Sequence, residues 1–276
     1  RFISGIEWWL CYEAWRVIVC SRYMENELTY IFQLPRDKLA VVPNGVNPQN
    51  YAYQGGQVNR DWFAAPDEKI VFYVGRLVRE KGVQVLLAGA PAILARHSKT
   101  KFVIAGKGPY EGELRRYAEQ LGIAHRVYFT GYVDNATRNA LYNWAAAAVF
   151  PSLYEPFGIV ALEAMAARAP VVVTDVGGLG EIVQDGVDGL KCPPDNPEAL
   201  AERILRILFD PGLAQALRER AYRKVLQECN WEDIARRTRA VYEEVAQQRR
   251  RVQWPEPASL RPRFAGKVYQ LLGRYA

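Results

Sequence analysis

The chain has 276 residues, half of them apolar, with a formal net charge of +6, four scattered cysteines and two histidines. Its length suits one large α/β domain or two small ones with a proper core, while the absence of a CxxC pair or ligand-spaced histidines argues against a disulfide framework or structural zinc. No stretch approaches the ~18 uninterrupted apolar residues of a membrane span, and the start lacks the basic-then-apolar layout of a signal peptide.

The sequence opens on Arg1, and its methionines are Met24 and Met165, so upstream residues are expected to have been removed. RVIVCS (16–21) reads as a strand running into a helix, and LAVVPNGVN (39–47) as a strand ending in an Asn-Gly turn. Residues 51–68 are polar and irregular, the pattern of a surface loop. From Lys69 to Asp210, β-branched runs then alternate with helical patterns. Strands are expected over 70–75, 101–106, 126–131, 147–152 and 170–175, with a short one over 189–192. Helices are expected over 83–97, 110–122, 134–145 and 157–168. Continuous apolar strands alternating with amphipathic helices predict an α/β fold, a Rossmann-like parallel sheet with helices on both faces.

Three further helices are expected over 197–210, 213–229 and 231–251, the last capped by Asn230. WPEPASLRP (254–262) reads as an extended linker and 264–276 as a closing helix. Charge is concentrated in this tail: residues 232–276 hold ten Lys/Arg against five Asp/Glu, a surplus of five out of the net +6. A solvated Arg-rich helix explains it more simply than a patch for nucleic acid, and no nucleic-acid partner is expected. Weak contact with an anionic membrane surface is the alternative.

Chemistry concentrates where strands end. In VGRLVREKG (74–82), Arg76 and Lys81 flank a strand-to-helix turn, and two cations beside a helix N-terminus make a diphosphate clamp. Gly75 and Gly82 keep the backbone open on either side. AGKGP (105–109) is as readily an ordinary turn as a ligand contact, being neither a Walker A sequence nor a full GxGxxG. His97 and His125 read as surface connections, and without a Ser-His-Asp or HExxH arrangement hydrolase and zinc-enzyme chemistry fall away. In EPFGIVALE (155–163), Glu155 precedes a helix beginning near Phe157 or Gly158, whose first N–H groups are free. Glu163 shares a face with Ile159 and Val160 on a helix apolar almost all round. A carboxylate there needs donors, and vicinal sugar hydroxyls supply a pair. The structural alternative makes Glu155 a cap and Glu163 a member of an internal salt bridge.

Together these stretches resemble the retaining glycosyltransferases of family 4, specifically the C-terminal, nucleotide-sugar-binding half of their two-domain GT-B fold. The matching segments run in family order from Val41 to Leu205 and include VVPNGVN, VGRLVREKGVQVLLAGA, FVIAGKGPYEGELRRYAEQLG, VYFTGYV and FPSLYEPFGIVALEAMAARAPVVVTDVGG. The combination of GR…EKG with E-x7-E carries the resemblance. It implies that Arg76 and Lys81 hold the donor diphosphate and Glu155 touches the sugar hydroxyls. The backbone of Phe157, Gly158, Ile159 and Val160 would meet the sugar and distal phosphate. Glu163 would bind the ribose hydroxyls and Val133 would line the base, with Asn135 where some relatives carry a base-reading acid. Arg76, Lys81 and Glu155 would be the catalytic set, with no cofactor and no metal.

The resemblance also sets the expected organisation. Residues 1–38 would be a remnant of the N-terminal acceptor domain, 39–251 the nucleotide-sugar-binding domain, and 252–276 a linker and C-terminal helix. The acceptor, whether glycan, lipid or small molecule, would be held by the missing domain. The terminal helix would expose an apolar face favouring self-association. A cytoplasmic location is implied, with peripheral membrane association as a variant. Asn47 stands where the family usually has Asp in NGVD, leaving that position's role open. The chain alone is expected to bind nucleotide and transfer little or nothing. Two other functions fit the same residues: a stand-alone nucleotide-sugar-binding or assembly module needing a partner domain, and another GT-B enzyme such as a phosphorylase or epimerase.

Overall fold

The structure is a computed structural model that describes residues 2–53, 55 and 58–251. The expected linker and helix over 252–276, and with them the self-associating apolar face, lie outside the described residues. Residues 1–239 form one compact unit and 240–276 a second.

The chain opens with α1 (Phe2–Glu13), β1 (Val17–Val19), α2 (Arg22–Ile31) and β2 (Leu39–Val41). β1 and β2 pair in parallel as a separate two-stranded sheet. The strand before the Asn-Gly turn therefore belongs with the N-terminal segment and not with the main sheet. Val19, Leu34 and Leu39 make a small core of their own. α1 carries no strong period in sequence and was not expected.

The main sheet is built from β3 (Lys69–Val74), α3 (Val83–Arg96), β4 (Thr100–Ala105), α4 (Glu111–Gln120), β5 (Val127–Gly131), α5 (Asn135–Trp144), β6 (Ala145–Phe150), α6 (Ile159–Ala166), β7 (Val171–Thr174), α7 (Gly177–Ile182) and β8 (Leu190–Cys192). Its six strands are parallel in the order β5-β4-β3-β6-β7-β8. α8 (Pro197–Phe209), α9 (Pro211–Glu228) and α10 (Trp231–Arg251) follow, and Asn230 caps the last by accepting from the Asp233 N–H at 2.9 Å.

Helices cover both faces, as the strand composition requires. Side chains alternate across a strand, so Ile70 and Phe72 join one apolar cluster with α5, α6 and α7 residues while Val71 and Tyr73 join the other with α3, α4 and α8. Val171, Val172 and Val173 are all fully buried, which explains a run with no polar alternation. The segment over 51–68 is more than a surface loop. Short 3₁₀ turns at Pro48–Tyr51 and Arg60–Trp62 bracket it, and Phe63 and Ala64 pack into the main core.

Strand order reverses between β3 and β6. From β3 the chain winds outward through β4 and β5, then returns to β6 on the other side and continues to β7 and β8. A crevice opens at the carboxyl ends of strands at such a switch point. The loops there are stitched together by backbone contacts. Leu153 N–H donates to the Glu80 carbonyl at 2.8 Å, joining the loops after β6 and β3. Gly82 has φ of 70°, and a Cβ there would stand 1.7 Å from the Pro151 carbonyl oxygen. Gly106, with φ of 134°, presses on the Gly75 carbonyl in the same way, at 1.8 Å. Both glycines are needed for close packing between loops; for Gly82 this replaces the open backbone its sequence context suggested. Gly82→Ala is therefore expected to destabilise the fold by at least about 2 kcal/mol, read from the urea midpoint. Gly122→Ala, equally left-handed but with nothing within 4 Å, should cost less.

Candidate functional site

Lys81 ends the short 3₁₀ turn after β3, and Glu155 lies in the loop after β6. Their side chains meet across the switch point, Nζ to Oε2 at 2.7 Å. Glu155 is only 8% exposed, and its Oε2 also accepts from the Ser152 hydroxyl at 3.2 Å. Its backbone carbonyl accepts from Gly178 N–H at 2.9 Å, fixing the loop against α7. Glu155 is thus the acidic half of a largely buried ion pair and not a helix cap. Lys81, expected as a free phosphate cation, already has a partner.

Arg76 is the more available cation. Its side chain is 75% exposed, with only Glu80 at 3.8 Å, and Tyr73 O–H donates to its backbone carbonyl at 3.0 Å. Burial holds that phenol well above its usual range, so it remains a donor. Arg76 lines a cleft of about 330 Å³ together with Lys107, Tyr132, Val133, Asn135 and Arg138. The floor is Gly75 and Gly106, the pair in backbone contact. Three predicted residues, Arg76, Val133 and Asn135, therefore share one cleft. Asp134 holds its rim by capping α5, accepting from Thr137 N–H at 2.8 Å. Among the described residues the charged groups lining it are all cationic, which suits an anionic guest. Lys107 and Arg138 were missed. The AGKGP turn hid the first, and nothing local marks the second, which lies one turn after Asn135 on α5.

α6 begins after Gly158, whose φ is 98°, and no side chain caps it. A Cβ on Gly158 would come within 2.5 Å of Leu179 Cδ2, so an internal neighbour as well as any ligand explains the glycine. Phe157 is buried in the core with Gly178 against its backbone, while Ile159 and Val160 are half-buried. Glu163, one turn further, has no ion-pair partner among the described residues, so the internal salt bridge is not what holds it. It accepts instead from Tyr51 O–H at 3.1 Å and Tyr142 O–H at 3.4 Å. Burial pushes Tyr51 up to about 12 and Tyr142 well above the usual range, with the Glu163 charge adding to both. Asn47, at the family's NGVD position, caps the 3₁₀ turn that carries Tyr51 by accepting from Gln49 N–H at 3.1 Å.

A larger cavity of about 490 Å³ lies between α2 and the end of α9. Carboxylates line it as well as cations, Glu181, Glu228 and Asp233 beside Arg22, Lys224 and Arg237, and Lys224 already pairs with Asp188 at 2.8 Å while Arg237 donates to the Val41 carbonyl at 3.3 Å. The smaller cleft, at the carboxyl ends of β3, β4 and β5, is the better candidate. No group of three or more His, Cys, Asp or Glu residues fit to hold a metal occurs among the described residues, and no described helix is long and apolar enough to cross a membrane.

The fold and site are those of a doubly wound parallel α/β protein with a cationic cleft at the carboxyl edge of its sheet. The profile of Glycosyl transferases group 1 matches residues 58–224, that of Glycosyltransferase Family 4 matches 1–50, and the chain belongs to the group 1 glycosyltransferases. It is 39% identical over 252 residues to an uncharacterised glycosyltransferase of Methanocaldococcus jannaschii, covering 88% of this chain and 63% of that protein. It is 35% identical over 242 residues to the glycogen synthase of Mycobacterium tuberculosis, covering 88% of this chain and 57% of that protein. Among solved structures, a sucrose-phosphate synthase from Thermosynechococcus elongatus superposes with a TM-score of 0.77 at 32% identity, over 88% of this chain and 61% of that one. The chain thus spans less than two thirds of the length of these relatives.

Removing one partner of a buried pair leaves the other uncompensated. Lys81→Met is expected to lower stability by about 3 kcal/mol in urea unfolding, and adding Glu155→Gln should recover much of that loss.

Proposed function

We propose that the intact protein transfers a glycosyl group from a nucleoside-diphosphate sugar to an acceptor hydroxyl with retained anomeric configuration, and that this chain supplies the donor-binding half. The observation that carries the proposal is the cationic cleft at the carboxyl ends of β3, β4 and β5, walled by Arg76, Lys107 and Arg138, on the same sheet edge where Lys81 and Glu155 join the loops after β3 and β6. In the reaction the bond from the anomeric carbon to the diphosphate oxygen breaks, and the electron pair leaves with the diphosphate. A bond from the acceptor oxygen to that carbon forms, and the acceptor hydroxyl releases its proton. Stabilising the departing diphosphate is the main electrostatic task of such a step. Arg76 supplies a free cation for it, and Lys81 becomes a second as a phosphate competes with Glu155 for its ammonium. Glu155, relieved of part of that pairing, accepts from the sugar hydroxyls.

In the same proposal Val133 and Asn135 face the base, and the backbone of Phe157, Gly158, Ile159 and Val160 meets the sugar and distal phosphate. Glu163 takes the ribose. The boundaries 1–38, 39–251 and 252–276, an acceptor bound elsewhere in the intact protein, and a cytoplasmic location belong to this proposal too. That relatives of the chain include a glycogen synthase and a sucrose-phosphate synthase supports glycosyl transfer without choosing the donor sugar.

A thermal-shift panel of UDP, ADP and GDP with their sugars tests it. At least one nucleotide at a hundredfold excess over its Kd should add about 2.7 kcal/mol, a rise of several degrees in Tm. Arg76→Ala should weaken that nucleotide by roughly tenfold or more, the worth of a charge-assisted hydrogen bond. If neither Arg76→Ala nor Glu163→Ala reduces any shift, the site is misassigned.

A further inference from the structure

We propose that Tyr51 is a positioning residue for the donor's ribose: it fixes the Glu163 carboxylate so that the remaining lone pairs accept from the vicinal 2′- and 3′-hydroxyls. This rests on the donor-site proposal and deepens it by naming what aims Glu163.

Glu163 is half-buried on an apolar helix, and two phenols from opposite directions hold it. Tyr51 O–H meets Oε1 at 3.1 Å and Tyr142 O–H meets Oε2 at 3.4 Å. Each carboxylate oxygen can accept two hydrogen bonds, so one phenol per oxygen leaves one acceptor site on each. Two adjacent acceptors of this kind match the two hydroxyls of a cis-diol. Burial keeps both phenols protonated, so each has a hydrogen to donate to the carboxylate.

The two donors differ in how firmly they hold. Tyr142 is wholly buried on α5, and its hydroxyl lies 3.3 Å from the Val160 carbonyl as well, so its single hydrogen is shared between two acceptors. Tyr51 makes the shorter bond and is clamped from outside. The Asn47-capped turn delivers it, and the Arg138 guanidinium lies 5.0 Å from its ring centroid. Arg138 is also a wall of the cationic cleft. The Tyr51 ring therefore links a cleft residue to Glu163, with the Arg138 cation on its face and the carboxylate on its hydroxyl. Without that hydroxyl, Glu163 keeps one longer, shared donor and is free to turn.

Titration calorimetry with UDP, ADP and GDP and their 2′-deoxy counterparts separates positioning from mere support of the fold. For whichever base binds, the unmodified chain should prefer the ribonucleotide by about tenfold, the worth of one hydrogen bond to a charged group. Tyr51→Phe should cut that preference to roughly twofold and weaken the deoxynucleotide, which keeps only the 3′-hydroxyl, by less than the ribonucleotide, because the lost term is the aim of Glu163. Glu163→Gln, with one acceptor oxygen replaced by a donor, should abolish the preference. An unchanged preference in Tyr51→Phe, or an equal loss for ribo- and deoxynucleotide, overturns the positioning role while Glu163→Gln still attests to the ribose contact. If the unmodified chain shows no ribose preference or binds no nucleotide, the donor-site proposal fails and this inference falls with it.

Discussion

A single ion pair, Lys81 with Glu155, joins the loops that follow β3 and β6 at the point where the sheet reverses its strand order. Two opposite charges so little exposed are costly to bring together, and the fold compensates with short range, a serine donor and backbone bonds between the same two loops. Gly82 is the steric condition for that approach, since the turn carrying Lys81 can lie on Pro151 only without a side chain at this position. The neighbouring loops are then placed in turn, Gly106 on Gly75 from β4 and Gly178 on Phe157 from α7. The cationic cleft opens beside the Gly106–Gly75 contact, at the ends of β3, β4 and β5.

This arrangement gives the two glutamates of EPFGIVALE different work. Glu155 sits beside a cation on a loop and, in the proposed function, exchanges partners when an anion arrives. Glu163 sits on a helix with phenols for partners and has no counter-ion to exchange. Neither is arranged as half of a general acid/base pair. In the proposed function they grip the two ends of one donor, with the uncapped start of α6 between them.

Much of the fold is legible in the sequence because its cause is local. The valines of β7 and the apolar runs of β3 and β4 alternate with amphipathic helices, and both-face burial follows from that composition alone. Arg76, Val133 and Asn135 were legible as neighbours only through their family spacing, and the structure does bring them to one cleft. Tyr51 was not legible. It lies in a stretch that reads as an irregular loop, and its partner Glu163 is 112 residues away. Arg138 and Lys107 escaped for the same reason, being ordinary cations until three strand ends converge around them. The short helix α7 was hidden by its glycines, which sequence propensity counts against a helix but which the Glu155–Phe157 loop requires.

The central claim is that the cationic cleft at the ends of β3, β4 and β5, and not another cavity of this chain, holds a nucleoside diphosphate. A crystal structure with the best-binding nucleoside diphosphate tests it most directly. The account expects the diphosphate between Arg76 and Lys81, the ribose on Glu163 and the base beside Val133. A nucleotide seated instead in the cavity between α2 and α9, or a diphosphate touching neither Arg76 nor Lys81, would contradict it.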